Sequence, residues 1–192
     1  MNSVAEKEDF VSTFVKRLRD LDDGERARFK RNAGTSMDES HNALGLFYKR
    51  LLFDYSLRER DEDVYFLIAT LFPFEKKPKQ TPESSATEPS ERPKNFGASL
   101  GKIRHRIEGK KEGAAKGLDN RFERLLDADE QQLSYYLRHE AHFLMNQEGG
   151  RIHWEQLLRD LLIWDYADRR VQRRWARDYF ASPAQEQPTD NQ

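Results

Sequence analysis

The sequence predicts an all-α protein: two small helical bundles joined by a glycine-rich basic connection, with a disordered proline-rich insert. Three observations carry that prediction. Apolar residues recur at spacings of three and four along nearly the whole chain, the period of a helix with one buried face. Glycine and proline fall between the periodic segments rather than inside them. No stretch sustains the two-residue alternation of a half-buried strand.

Phe10, Phe14, Leu18 and Leu21 define the first amphipathic helix. Asp22 or Asp23 can cap a second, short helix that Gly34 would close. Ser36 or Asp38 can start a third, with Leu44, Phe47, Tyr48, Leu51 and Leu52 as its buried stripe. VYFLIATLF (64–72) is apolar on most sides and reads as a central helix among helical neighbours. The composition then changes. Residues 73–94 hold five prolines, several Ser and Thr, and no large apolar residue after Phe74, so they are expected to be disordered.

Order resumes with Leu100, Ile103 and Ile107 on a short helix face. EGKKEGAAKG (108–117), punctuated by glycine, is the candidate domain boundary. Four helical segments follow. Leu118, Phe122, Leu125 and Leu126 line the first; Asp127 or Asp129 can cap the second, with Leu133, Tyr136, Leu137, Ala141 and Leu144 inside. Ile152, Trp154, Leu157, Leu158, Leu161 and Leu162 line the third, and Val171, Trp175 and Tyr179 the fourth. The expected division is an N-terminal bundle over 1–112, a C-terminal four-helix bundle over 113–182 and a disordered tail over 183–192.

The 192 residues carry 33 basic and 34 acidic side chains, a formal net charge of −1. Net charge therefore points to no partner, and only its distribution can. The absence of cysteine excludes disulfides, thiol catalysis and cysteine-ligated zinc, and suits a reducing cytoplasm. The first ten residues lack the apolar core of a signal peptide, and the longest apolar run is too short to cross a bilayer. The expectation is a cytoplasmic protein with no membrane partner.

Positive charge is concentrated in three places. On a helix through RRVQRRWARDYF (169–180), Val171, Trp175 and Tyr179 share one face, while Arg170, Arg173 and Arg177 lie nearly opposite, flanked by Arg169 and Arg174. Arginines at one-turn spacing offer planar donor forks that suit phosphate oxygens. In ERARFKRNAG (25–34), Arg26, Arg28, Lys30 and Arg31 stand against Glu25, with little apolar surface besides Phe29. From Lys94 to Lys116, seven basic residues, including Lys102 and Arg104, face only Glu108 and Glu112. A neutral chain with such clusters needs acidic faces elsewhere. That bipolar surface suits contact with nucleic acid on one side and protein on the other, the competing reading being an ordinary solvated surface.

No enzyme motif survives inspection. HEAH (139–142) places its second histidine one residue too early for the zincin H-E-x-x-H helix, and no third ligand is evident. Asp61, Glu62 and Asp63 form one acidic run, whereas a metal-dependent nuclease needs carboxylates converging from separate elements. There is no phosphate-binding loop, and the glycines of 97–117 fit no dinucleotide fingerprint. The expectation is no catalytic residue, no metal, no cofactor and no small-molecule substrate.

Seven segments, in order, carry a family resemblance: DDGERARFKRNAG (22–34), LGLFYKRLL (44–52), YFLIATLF (65–72), NFGASLGKIR (95–104), LDNRFERLLDADEQQLSYYLR (118–138), IHWEQLLRDLLIWD (152–165) and RRVQRRWARDYF (169–180). The chain resembles the CasB family, small subunits of the type I-E CRISPR surveillance complex Cascade, over nearly all of residues 8–180. The resemblance implies two helical bundles without catalytic activity. It also implies a pair of copies contacting backbone and large subunits, and a basic surface that helps hold unwound target DNA beside the guide RNA. It points to the basic residues of 26–31, to Lys49 or Arg50, and to Arg121, Arg138, Arg169 and Arg170. The alternative is a structural adaptor whose basic patches meet protein. The proline-rich insert departs from the family pattern.

Overall fold

The computed structural model describes residues 4–75 and 94–181, and among these every regular element is helical. Residues 76–93 and 182–192 lie outside the described residues, and with them nearly all of the expected disordered insert and the whole tail. The helices are α1 (Val4–Arg19), α2 (Asp23–Arg31), α3 (Leu44–Leu46, running into a π turn at Phe47–Leu51), α4 (Glu59–Leu71), α5 (Phe96–Glu108), α6 (Lys116–Leu126), α7 (Glu130–Met145), α8 (Trp154–Leu161) and α9 (Arg170–Phe180).

Local chemistry explains where several of these begin. Asp22 caps α2 in a reciprocal box: its carboxylate accepts from the Glu25 N–H at 2.8 Å, and the Glu25 carboxylate accepts from the Asp22 N–H at 3.1 Å. Asn95 caps α5 and Asp129 caps α7 through the same side chain-to-N3 bond. Past α2 the chain turns at Gly34, whose φ of 75° is left-handed.

Two boundaries differ from the sequence expectation. The third helix does not start at Ser36 or Asp38; residues 35–43 form turns, held by Asn32, and Leu44 begins the helix. Asn32 donates to the carbonyls of Arg28 and His41 and accepts from the His41 N–H, so one buried amide replaces the missing helical turns. The π turn rotates the expected stripe: Phe47, Leu51 and Leu52 are buried, but Leu44 and Tyr48 face solvent. The second difference is at Pro73 and Phe74. They belong to a 3₁₀ turn, Phe72–Phe74, that extends α4, because Pro fits the first turn of a helix and Phe74 packs edge-on against His142 at 5.1 Å.

α4 sits centrally. Tyr65 through Leu71 are all buried, and α2, α7 and α8 pack around it. α1 adds Phe14, which meets Tyr65 edge-on at 4.7 Å and Phe47 at 6.3 Å. α1 also packs on α8, where the Ser12 hydroxyl donates to Glu155 at 3.0 Å. The buried apolar residues of all these helices form one contiguous cluster, in which each fully buried large side chain contributes about 1.5–3 kcal/mol.

α5 and α9 make the most extensive helix pairing. Gly97 and Gly101, one turn apart on α5, lie against the Trp175 and Tyr179 backbone, also one turn apart on α9. A Cβ on Gly97 would stand 2.3 Å from the Trp175 carbonyl oxygen. The two glycines let the helix backbones touch, and Trp175 then packs on Phe96 and Trp164. The glycine-rich connection after α5 is tied at its root: the Glu108 carboxylate accepts from the N–H groups of Gly113 at 2.6 Å and Ala115 at 2.9 Å. Those two bonds hold Glu108 below the usual carboxylate range.

Candidate nucleic-acid interface

The cations singled out from the sequence divide into those committed to the fold and those left at the surface. Arg104 is committed: it forks onto Asp119 at 2.8 and 3.3 Å, and Tyr179 donates to the same carboxylate at 2.7 Å. Arg26 lies half-buried over the Phe72 ring and donates to the Glu75 carbonyl. Arg121 sits over Phe143 and donates to Glu140 at 2.8 Å. Arg174 turns inward to Asp160, leaving the exposed stripe to its neighbours.

A second group forms exposed pairs. Arg50 meets Glu25 at 2.7 Å, Arg169 meets Asp127 at 2.9 Å and also donates to the Leu126 carbonyl, Arg170 meets Asp168 at 3.0 Å, and Arg177 approaches Asp178 at 3.8 Å. Pairs of this kind contribute about 0–1 kcal/mol, so a phosphate can displace the carboxylate at little cost. Lys102 is exposed on α5.

Arg28, Lys30, Arg31, Arg138 and Arg173 remain exposed, and their side chains make no ion pair or hydrogen bond to a described residue. The fold brings Arg138 close to the end of α2. The Arg138 stem lies against Gly34, three residues beyond Arg31, which joins α7 to the C-terminal end of α2. On the other flank, Arg28 shares an open cleft of about 670 Å³ with Lys49 and Arg50 and with the α2 capping pair Asp22 and Glu25. Arg173 stands apart, in a shallow groove with Glu123, Asp127 and Arg169.

The two histidines of HEAH take structural places. His139 bonds to the Tyr135 carbonyl at 2.7 Å, while His142 packs on Phe74, so the two rings are held separately. Glu140, between them in sequence, is 1% exposed and faces Arg121. Among the described residues no group of three or more His, Asp or Glu side chains is placed to hold a metal. Nor is any described helix long and apolar enough to cross a membrane.

Burial outweighs the Arg121 contact and pushes the Glu140 carboxyl up from its ordinary value. A carboxyl whose folded pKa is raised stabilises the fold most fully below its unfolded value, near 4.3, and loses that contribution as pH rises through the folded value. Chemical unfolding across that range should therefore show a decline with pH that is reduced in Glu140→Gln, which keeps an acceptor for Arg121. An identical pH slope in the two proteins would contradict the assignment.

The described residues thus form an all-helical fold that leaves several arginine and lysine side chains at its surface. Comparison with known proteins narrows this. A family model described as CRISPR-associated protein Cse2 matches residues 25–180, and the chain belongs to that family. A curated relative, the CRISPR-associated protein Cse2 of Thermus thermophilus, is 41% identical over 78 residues. That alignment spans 41% of this chain and 43% of the relative, under half of its length. The crystal structure of CasB from M. ruber matches with a TM-score of 0.66 at 28% identity, covering 89% of this chain and 92% of that one. A chain of a CRISPR RNA-guided surveillance complex shares the fold with a TM-score of 0.67 at 20% identity, covering 90% and 92%. The CasB resemblance read from the seven segments is thus met.

Proposed function

We propose that this chain is the small, non-catalytic subunit of a type I-E CRISPR RNA-guided surveillance complex. In that role it works in the cytoplasm without a cofactor, beside other subunits and a second copy of itself. It holds the backbone of guide RNA, target DNA and the displaced strand without reading sequence, because phosphate contacts position rather than specify. Family membership supports the setting. The observation that carries the chemistry is the set of exposed cations of α2 without an ion-pair partner among the described residues, Arg28, Lys30 and Arg31, with Arg138 packed against Gly34 just beyond Arg31. The exposed pairs of Arg50, Arg169, Arg170 and Arg177 are reserve contacts that phosphate can recruit.

The test is the triple variant Arg28→Glu, Lys30→Glu, Arg31→Glu in the assembled complex. Target affinity should fall, and the slope of log K against log salt should shrink by about 0.7 for each phosphate contact on a single strand. Helical circular dichroism should not change, since none of the three side chains holds the fold. Unchanged affinity and slope would overturn the nucleic-acid role.

One observation favours the adaptor reading for the surface that adjoins Ser134 of α7. A cavity of about 410 Å³ has Met37, Val64, Leu67 and Trp164 in its wall, with Asp38, Asp61, Asp63 and Glu130 around it beside the Arg60–Asp165 pair. Burial, together with the charges of Asp38 and Glu130, pushes the Asp63 carboxyl up. Such a face repels nucleic acid and suits protein. If the triple variant instead prevented the complex from assembling, the basic edge would also be a protein contact.

A further inference from the structure

The outer face of α7 presents rings as well as charge. Tyr135 is 59% exposed, the most open aromatic side chain of this helix. His139 lies one turn on, with its ring 4.3 Å from that of Tyr135, and its bond to the Tyr135 carbonyl fixes its position. Tyr136 braces Tyr135 from the side, edge-on at 5.3 Å. Arg138 stands on the adjoining strip of the same helix, with its stem on Gly34, three residues beyond the exposed Arg31 of α2. Neither Tyr135 nor His139 belongs to the core: Leu133, Leu137, Ala141 and Leu144 form the buried face of α7, with Tyr136 packed at its border.

We infer that Tyr135, supported by His139, is a stacking platform for an unpaired base of a single strand whose phosphates lie on Arg138 and Arg31. An exposed, braced aromatic ring beside unpaired cations is the combination that non-specific single-strand binders use. The ring accepts any base face, and the cations follow the backbone. The charge of the edge selects a polyanion over an apolar peptide. The exposed ring selects a strand with free bases over a closed duplex, whose bases are already stacked. This inference rests on the nucleic-acid role proposed above and adds a contact that cations alone do not supply.

The probes are labelled oligothymidylate, an oligomer of the same length with abasic sites throughout, and duplex DNA, titrated against the full chain. Tyr135→Ala should weaken oligothymidylate binding about tenfold, while the salt slope stays unchanged because no charge is lost. Tyr135→Phe should bind like the wild type. The abasic oligomer and the duplex should not distinguish Tyr135→Ala from the wild type. Arg138→Ala should give the opposite signature, lowering the slope by about 0.7 on both single strands. Equal affinity of wild type and Tyr135→Ala for oligothymidylate, with the Arg138 effect intact, would overturn the stacking platform and leave the backbone role standing. No binding of any strand by the wild-type chain at low salt would overturn both.

Discussion

Replacing Asp160 by alanine should remove about 3–5 kcal/mol of folding stability, a large share of the 5–15 kcal/mol typical of a domain. The side chain is 1% exposed and accepts from the Trp175 indole N–H at 2.6 Å, the Gln156 amide at 2.7 Å and the Arg174 guanidinium. It ties α8 to α9 at the centre of the fold. Its loss would leave the indole N–H without an acceptor in the core, and a guanidinium whose Nε is already buried without a partner. Unpaired groups of that kind bear their full desolvation cost. Asp160→Asn keeps one acceptor and should recover part of the loss. Asp165→Ala breaks only the exposed pair with Arg60, and should change stability by about 0–1 kcal/mol. Urea unfolding followed by circular dichroism measures all three, and a loss below about 1 kcal/mol in Asp160→Ala would contradict the account.

Gly97→Ala should destabilise by about 1–3 kcal/mol or more, and Gly101→Ala by less. At Gly97 the new methyl would meet the Trp175 carbonyl oxygen at 2.3 Å and its Cα at 2.7 Å; at Gly101 the nearest atom is the Tyr179 carbonyl oxygen at 2.8 Å. These neighbours are backbone, so no rotamer change relieves the overlap and α9 must move as a unit. Because Trp175 packs on Trp164 and Phe96, that movement should also alter the intrinsic tryptophan fluorescence of the folded protein. Gly117→Ala is the control. Nothing lies within 4 Å of its added methyl, and better helix propensity should leave stability equal or higher. Equal stabilities for Gly97→Ala and Gly117→Ala would show that the α5–α9 contact is looser than described.

Gly97 and Gly101 also show where reading the sequence ran out. Their spacing was visible, and it fitted no nucleotide fingerprint. Their use against α9 was not visible, because a close approach requires knowing which helix lies opposite. Asp160 and Arg174 pose the same problem. Each has the helical spacing of a surface residue, and only the packing of α8 on α9 turns the two toward each other. Asn32 lay in plain view in the RNAG turn, but its bonds to a loop nine residues away depend on how that loop returns.

The charge clusters were legible as composition and not as availability. Arg104 and Arg121 read from the sequence like Arg28 and Lys30, since a one-dimensional count assigns every cation to solvent. In the fold, Asp119 lies across from Arg104 and Glu140 across from Arg121, and both arginines bind the protein itself. Tyr135 gave no signal beyond an aromatic pair in a helical pattern.

The amino-acid sequence by itself determined the helices, the caps of α2 and α7, most of the faces they bury and the family to which they belong. These follow from local spacing and from the order of segments, which a linear string preserves. Tertiary structure alone decided which helices touch, which glycines are irreplaceable and which cations stay unpaired. Those depend on partners distant in sequence: a carboxylate brought against a guanidinium, as Asp119 is to Arg104 at 2.8 Å, neutralises it, and one left on another face does not.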